Sequence, residues 1–173
     1  MKIYLATDHA GFALKEMVKK FLLEKKYEVE DCGAESFDPH DDYPDFIAKA
    51  AEKISENPTD KAIIFGGSGQ AEMMVANKFA HVRCALFYGP VLPHGPIDVN
   101  GDKSLDPFEI VRLTRVHNNA NILSIGARFV SPEDVKHAVT IWLNTEFLGE
   151  ERHQRRIEKM EEIEKRLCKN HIL

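Results

Sequence analysis

Between Ile63 and Glu72 the chain reads Ile-Ile-Phe-Gly-Gly-Ser-Gly-Gln-Ala-Glu. An apolar run passes through glycines into a helix-forming stretch. This fits a buried strand that ends in a glycine-rich turn and opens a helix. Such a turn exposes consecutive backbone N–H groups, and the positive end of the helix dipole points the same way. An anion or a developing oxyanion would be stabilised there. Glu72 stands three residues into the helix, with no cation beside it in the sequence. A carboxylate next to an oxyanion site is what proton transfer beside a carbonyl requires. The same residues also fit a tight turn with a solvated glutamate, and both readings stand at this point.

The rest of the chain repeats the alternation. Ile3 to Ala6 reads as a short strand. Phe12, Leu14, Val18, Phe21 and Leu22 recur at helical spacing, which predicts a helix over 11–25. Tyr27 to Asp31 is the second strand, and Tyr43-Pro44 opens a helix carrying Phe46, Ile47, Ala50, Ala51 and Ile54. Strands are expected at 62–65, 84–88 and 121–125, and helices at 72–78, 106–116 and after Ser131-Pro132. The expected fold is therefore α/β: a three-layer αβα sandwich around a five-stranded parallel, Rossmann-like sheet. Ligands of such sheets bind at the carboxyl ends of the strands. Asp8-His9, Gly66 to Ser68 and Gly126 to Arg128 all fall at such ends.

With 173 residues, one domain spanning 1–173 is expected. A net charge of -5 argues against a nucleic-acid surface. No apolar run is long enough to span a membrane, and the amino-terminal segment lacks the pattern of a signal peptide. Cys32, Cys84 and Cys168 are far apart and show no metal-ligand spacing. They fit reduced thiols and a cytoplasmic setting.

Glu150 to Lys169 reads as a long charged helix with a thin apolar stripe of Ile157, Met160, Ile163 and Leu167. So narrow a stripe is expected to pack on a partner subunit as a dimerisation helix over about 150–169, in a homodimer or homotetramer. Arg152 and Arg156 share a face, as a solvated pair or as a clamp for a phosphate. His117 titrates near neutrality and suits ring-opening acid–base work, or is an ordinary surface histidine. Asp98, Asn100, Asp102, Ser104, Asp106 and Glu109 take the liganding positions of a calcium-binding loop. Lys103 stands where that loop needs glycine, and Pro93 and Pro96 bar an entering helix, so a polar surface loop is expected.

These pieces resemble the ribose-5-phosphate isomerase B family, which also includes galactose-6-phosphate isomerase subunits. The matching segments are Thr7 to Gly11, Asp42 to Pro44, Gly67 to Gly69, Ala76 to Lys78 and His117 to Asn121. They continue through Gly126 to Arg128, Trp142-Leu143, Glu146-Phe147 and Arg152 to Arg156. The resemblance implies metal-free interconversion of ribose 5-phosphate and ribulose 5-phosphate through an enediolate, with no cofactor. Many members place a catalytic cysteine at the position of Gly66; another branch uses a glutamate six residues on, and this chain has Glu72. By the same resemblance Glu72 is the base, and Ser68 with the amides around Gly67 and Gly69 stabilises the enediolate. His117 opens the sugar ring, Asp8 holds a ring or hydroxyl oxygen, Asn118 binds hydroxyls and Tyr43 lines the pocket. His9 and Arg128, with Arg152 and Arg156 from a neighbouring subunit, hold the phosphate. The small phosphorylated sugar would then sit in a site shared between subunits. The chain departs from the family in an insertion of about 89–105, which could redirect the enzyme to a hexose 6-phosphate or a free sugar. A non-catalytic phosphate- or nucleotide-binding module is the remaining alternative, although it needs none of the acid–base groups.

Overall fold

The computed structural model describes residues 1–170, with side chains as far as Leu167. The strands β1 (Lys2–Ala6), β2 (Glu28–Asp31), β3 (Lys61–Gly66), β4 (Cys84–Phe87) and β5 (Ile122–Gly126) form one sheet. Its order is β2-β1-β3-β5-β4, and every pairing is parallel. The helices are α1 (Phe12–Glu24), α2 (Tyr43–Glu56), α3 (Gln70–Ala76), α4 (Glu109–Asn118), α5 (Pro132–Asn144) and α6 (Glu151–Asn170).

Alternate residues of each strand face opposite sides of the sheet. Ile3, Leu5, Ile63, Phe65, Leu123 and Ile125 pack under α1, α4 and α5 with Val18, Leu22, Val111, Val135 and Trp142. Tyr4, Ala6, Ala62, Ile64 and Ile122 pack under α2 and α3 with Ile47, Ala50, Ile54 and Ala76. Both faces of the central strands are thus covered, as an all-parallel sheet requires. Trp142 is fully buried and its indole N–H donates to Thr114 Oγ1 at 3.1 Å, tying α5 to α4. Truncating a side chain of that size would cost about 3–5 kcal/mol.

The chain leaves β1 for the edge strand β2 and then crosses back to β3. The carboxyl ends of β1 and β3 therefore flank the point where the winding reverses, the usual place for a ligand crevice. In the register of β3 and β5, Gly66 lies beside Gly126, so the two turns that follow are neighbours.

Some boundaries differ from expectation. Residues 9–11 form a 3-10 turn capped by Asp8, whose Oδ1 accepts the Ala10 N–H at 2.9 Å. The third helix begins at Gln70, two residues before the expected 72, because Gly69 takes a left-handed conformation (φ 74°) that turns the chain at once. A Cβ at Gly69 would also meet Leu86 Cδ1 at 2.8 Å. Helix α4 begins at Glu109 rather than 106, since Asp106 Oδ1 accepts the Phe108 N–H ahead of it. In α6, His153 and Ile157 are buried against the chain's own body. Met160 and Ile163 remain 44% and 48% exposed, so this part of the stripe faces outward. Cys32 and Cys84 are free thiols that burial holds protonated, Cys32 pushed up to about 11; the Cys168 side chain lies outside the described residues.

Candidate active site

Asp8, His9, Gly67, Ser68, Gly69, Glu72 and Arg128 gather at the carboxyl ends of β1, β3 and β5. Thr7 Oγ1 donates to Phe65 O at 2.9 Å and locks the end of β1 to β3. Ala127 N–H donates to Gly66 O at 2.8 Å and Arg128 N–H to Gly67 O at 3.1 Å, so the turn after β5 is laced to the glycine turn. Ser124 Oγ donates to Gly69 O at 2.7 Å and holds that turn from beneath. The Arg128 guanidinium lies over Gly67: a Cβ there would stand 3.2 Å from Arg128 Cζ. Ser68 is half-buried, and its Oγ accepts only a long bond of 3.4 Å from Gln70 N–H.

Glu72 occupies the third position of α3 and is buried. Its carboxylate lies directly against Gly66; a Cβ at that position would overlap it. A side chain at 66 and the Glu72 carboxylate therefore compete for one volume. Glu72 Oε2 is buried without a hydrogen-bond partner. Burial raises the Glu72 carboxyl above the usual carboxylate range, and the Asp8 charge pushes the same way. A buried carboxylate with one oxygen unpartnered and a raised affinity for protons is suited to act as a general base.

His9 and Asp8 stand in the same crevice. His9 Nδ1 donates to Asp41 Oδ1 at 2.7 Å, and this bond foremost raises the imidazole above its ordinary range. Asp41 was invisible in the sequence reading, because its loop meets His9 only after folding, across 32 residues. Metal-competent atoms of Asp8, His9 and Asp41 lie within 4.8 Å of one another. In this structure the Asp41–His9 bonds and the Asp8 cap use those atoms. Tyr43 opens α2 half-buried and packs against the core beneath that helix.

The remaining expected residues are elsewhere. His117 and Asn118 end α4, and β5 starts four residues later at Ile122. They therefore sit at the amino edge of the sheet. The five residues of β5 separate that edge from Gly126 by roughly 13 Å along the strand. His117 is thus not beside Glu72 in the same chain. It stacks on the buried His153 with ring centroids 4.3 Å apart. Burial first, and then Arg152 and Arg156, lower its proton affinity. Arg152 Nε donates to Glu150 Oε2 at 3.0 Å, while Arg156 is exposed. Asn118 lines a groove of about 370 Å³ with Asn77, Arg83, Ala85 and Ile157, and its carbonyl accepts from Arg83 Nε at 3.1 Å.

The extra loop lies near this second group. Pro93, Gly95, Pro96 and Ile97 line a hollow of about 280 Å³ together with Ile110, Leu113 and His117. Its acids serve the loop itself. Asp98 Oδ1 accepts the N–H groups of Asn100 and Asp102, and Glu109 Oε2 accepts Ser104 O–H. Asp106 Oδ2 pairs with Arg112 at 2.7 Å. The calcium-loop arrangement is thereby dismantled.

Similarity to other proteins follows the same outline. A model of the Ribose/Galactose Isomerase family matches residues 3–93 and 106–160, leaving out residues 94–105, most of the extra loop. Ribose-5-phosphate isomerase B of Mycolicibacterium paratuberculosis is 35% identical over 165 residues, 95% of this chain and 92% of that protein. The putative sugar phosphate isomerase YwlF of Bacillus subtilis is 33% identical, over 96% and 99%. The crystal structure of ribose-5-phosphate isomerase B from Mycoplasma genitalium with bound ribulose-5-phosphate superposes with a TM-score of 0.82 at 34% identity, covering 95% of this chain and 96% of that one. The Clostridium thermocellum enzyme gives 0.81 at 34% identity, over 96% and 99%. With a parallel sheet of the same outline, a glycine turn abutted by Glu72, and a family match on both sides of its extra loop, the chain belongs to the Ribose/Galactose Isomerase family.

Proposed function

We propose that this protein interconverts ribose 5-phosphate and ribulose 5-phosphate without a metal, through an enediolate. The observation that carries the proposal is the Glu72 carboxylate, buried against Gly66 with Oε2 unpartnered. In the forward direction Glu72 takes the proton from C2 of the open-chain aldose. The electron pair moves onto the C1 carbonyl oxygen, giving the enediolate. Glu72 returns the proton to C1 while the C2 hydroxyl proton passes to O1 and the C2 carbonyl forms, so protons and electrons balance and the reaction is redox-neutral. Ser68 and the amides of Gly67 and Gly69 stabilise the developing oxyanion. Asp8 accepts from a sugar hydroxyl, Tyr43 borders the sugar, and His9 and Arg128 take the phosphate.

The remaining chemistry is supplied by a second copy. We place the partner subunit's His117 at ring opening, the partner's Asn118 on sugar hydroxyls, and the partner's Arg152 and the partner's Arg156 on the phosphate. The separation of the two groups along β5 supports this division, and the exposed Met160 and Ile163 of α6 offer an apolar contact for the second copy. The unit is a single catalytic domain that works as a homodimer or a pair of dimers. Relatives named ribose-5-phosphate isomerase B, and one such structure with ribulose-5-phosphate bound, support the choice of a phosphopentose.

Ribose 5-phosphate isomerisation by the purified protein in the presence of chelator is the direct test, with Glu72→Gln alongside. Chelator-resistant turnover that falls about 100- to 10,000-fold in the variant is expected. Near-normal turnover in Glu72→Gln, or loss of wild-type turnover to the chelator, would overturn the reading. A hexose 6-phosphate is the second candidate substrate, favoured by the extra loop packed beside His117; a higher kcat/KM for it than for ribose 5-phosphate would establish it instead.

A further inference from the structure

Asp41 is held in the crevice by an arrangement that a merely structural residue would not need. A single carboxylate oxygen, Oδ1, accepts both the backbone N–H of His9 at 3.0 Å and its ring Nδ1 at 2.7 Å. The second oxygen, Oδ2, is buried with no hydrogen-bond partner, and the side chain is 10% exposed. A carboxylate kept there for capping alone would turn both oxygens to donors. The ring of His9 is also edged by Phe37, with centroids 6.2 Å apart and planes near perpendicular. Main-chain grip, ring grip and aromatic wall together leave His9 one orientation, with Nε2 as the ring nitrogen still free to donate.

We propose that Asp41 is a positioning residue: it fixes His9 as a charged donor beside Arg128, so that the two cations together receive the substrate's phosphate. The inference rests on the reading of this crevice as a phosphosugar site and deepens it by naming what arms His9. Among the described residues, the charged groups facing His9 are Asp8 from its own segment, Asp41 from the loop before α2, and Arg128 from the turn after β5. Asp8 Oδ2 stands 3.8 Å from Nδ1. A neutral His9 would leave Asp8, Asp41 and Glu72 against Arg128, a balance that repels a phosphate dianion. A protonated His9 reduces that imbalance and adds a second charged N–H donor for the phosphate beside Arg128. The hydrogen bond from Asp41 raises the imidazole's proton affinity, with Asp8 helping and Arg128 opposing.

The test is Asp41→Asn, which keeps the shape and an acceptor oxygen while removing the charge, with Asp41→Glu as the variant that retains charge. The His9 ring is titrated by NMR in the full-length protein, and the affinity for inorganic phosphate is measured at two pH values. In Asp41→Asn the His9 titration should fall by about one pH unit. The dissociation constant for phosphate at pH ~7.5 should rise about tenfold and recover by pH ~6, where His9 can charge unaided. Asp41→Glu should restore part of both effects. In steady state the loss should fall on KM for ribose 5-phosphate rather than on kcat. An unmoved His9 titration, or a moved titration with unchanged phosphate affinity, would overturn the proposal; so would a loss confined to kcat. A wild-type protein that fails to isomerise ribose 5-phosphate while the His9 titration and the phosphate affinity behave as expected would sink the substrate assignment and leave the Asp41–His9 pair standing.

Discussion

The two edges of the sheet are built to opposite chemistry. At the carboxyl edge, Asp8, Asp41 and Glu72 outnumber Arg128, and two carboxylate oxygens are buried without partners. At the amino edge, Arg152, Arg156, His117 and His153 gather around the carboxylate of Glu150, and the buried His153 Nε2 makes no hydrogen bond. Each edge thus carries a buried polar atom without a hydrogen bond, the kind of group that costs free energy unless something offsets it. On the proposed reading the base and the cations serve one function, and the fold holds them at opposite edges of the sheet.

The largest effect is expected at the carboxyl edge. Replacing Glu72 by Gln removes the base and should lower kcat by about 100- to 10,000-fold. The same change removes a buried unpaired carboxylate, so the variant should melt higher, by about 2–4 °C per kcal/mol recovered. Loss of activity with gain of stability marks a residue kept for function. The acid limb of the wild-type kcat/KM profile follows from the same group. Because burial raises the Glu72 carboxyl in the folded protein, the base form is lost at a higher pH than for an ordinary glutamate. The sign for stability is the reverse of that for a paired acid: protonating Glu72 relieves the folded state, so its contribution to stability worsens as pH rises through the raised value. An acid limb at the ordinary glutamate position would mean that Glu72 is solvated in the working enzyme. Gly66→Ala probes the same carboxylate by volume alone. The added methyl takes its space, and a displacement of about 1 Å should cost on the order of 100-fold in kcat. Unchanged turnover would mean that the carboxylate works from another position.

Crossing the two edges gives the next effect. Glu72→Gln and His117→Ala should each be nearly inactive. If sites are shared, a one-to-one mixture reassembled by dissociation and refolding should recover about a quarter of wild-type activity, because half the dimers are mixed and each has one intact site of two. No recovery, with mixed dimers demonstrated by mass, would place both groups in one subunit's site and contradict the edge separation. Arg156→Ala is milder. Removing one charged donor to phosphate should raise KM about 10- to 100-fold with kcat nearly retained. A KM that does not move would mean Arg156 faces solvent.

Much of this fold was legible because strand alternation carries it. Ile63 and Phe65 against Ala62 and Ile64 already state a strand covered on both faces, and Asp8, Gly66 and Gly126 follow as strand ends. The position of Glu72 was legible from its distance to the glycine turn. What escaped was pairing across distance. No local pattern announces that Asp41 will meet His9, since the contact depends on how residues 32–42 fold back over β1. The edge of His117 could have been found: a residue just before a strand, at the end of a helix that returns to it, must lie at the amino edge. The resemblance named its role but not its side of the sheet.

The smallest effect is expected from the extra loop. Val91 N–H donates to Pro107 O at 2.8 Å, so the ends of the loop are already pinned together and its excision leaves a short, closed connection. Within it, Val99 and Leu105 are exposed, and the acids bond to their own neighbours rather than to the body of the protein. Its apolar contact is the cover that Pro93, Pro96 and Ile97 lay over Ile110 and Leu113 beside His117. Replacing 94–105 by two glycines should therefore shift Tm by only about 2 °C and leave kcat/KM for ribose 5-phosphate within about threefold. If the loop narrows the crevice that the partner's His117 enters, the same variant should gain turnover on hexose 6-phosphates. A fall of more than tenfold with ribose 5-phosphate would instead make the loop part of the amino-edge machinery, and the contrast between a fixed carboxyl edge and an adjustable amino edge would then have to be redrawn around it.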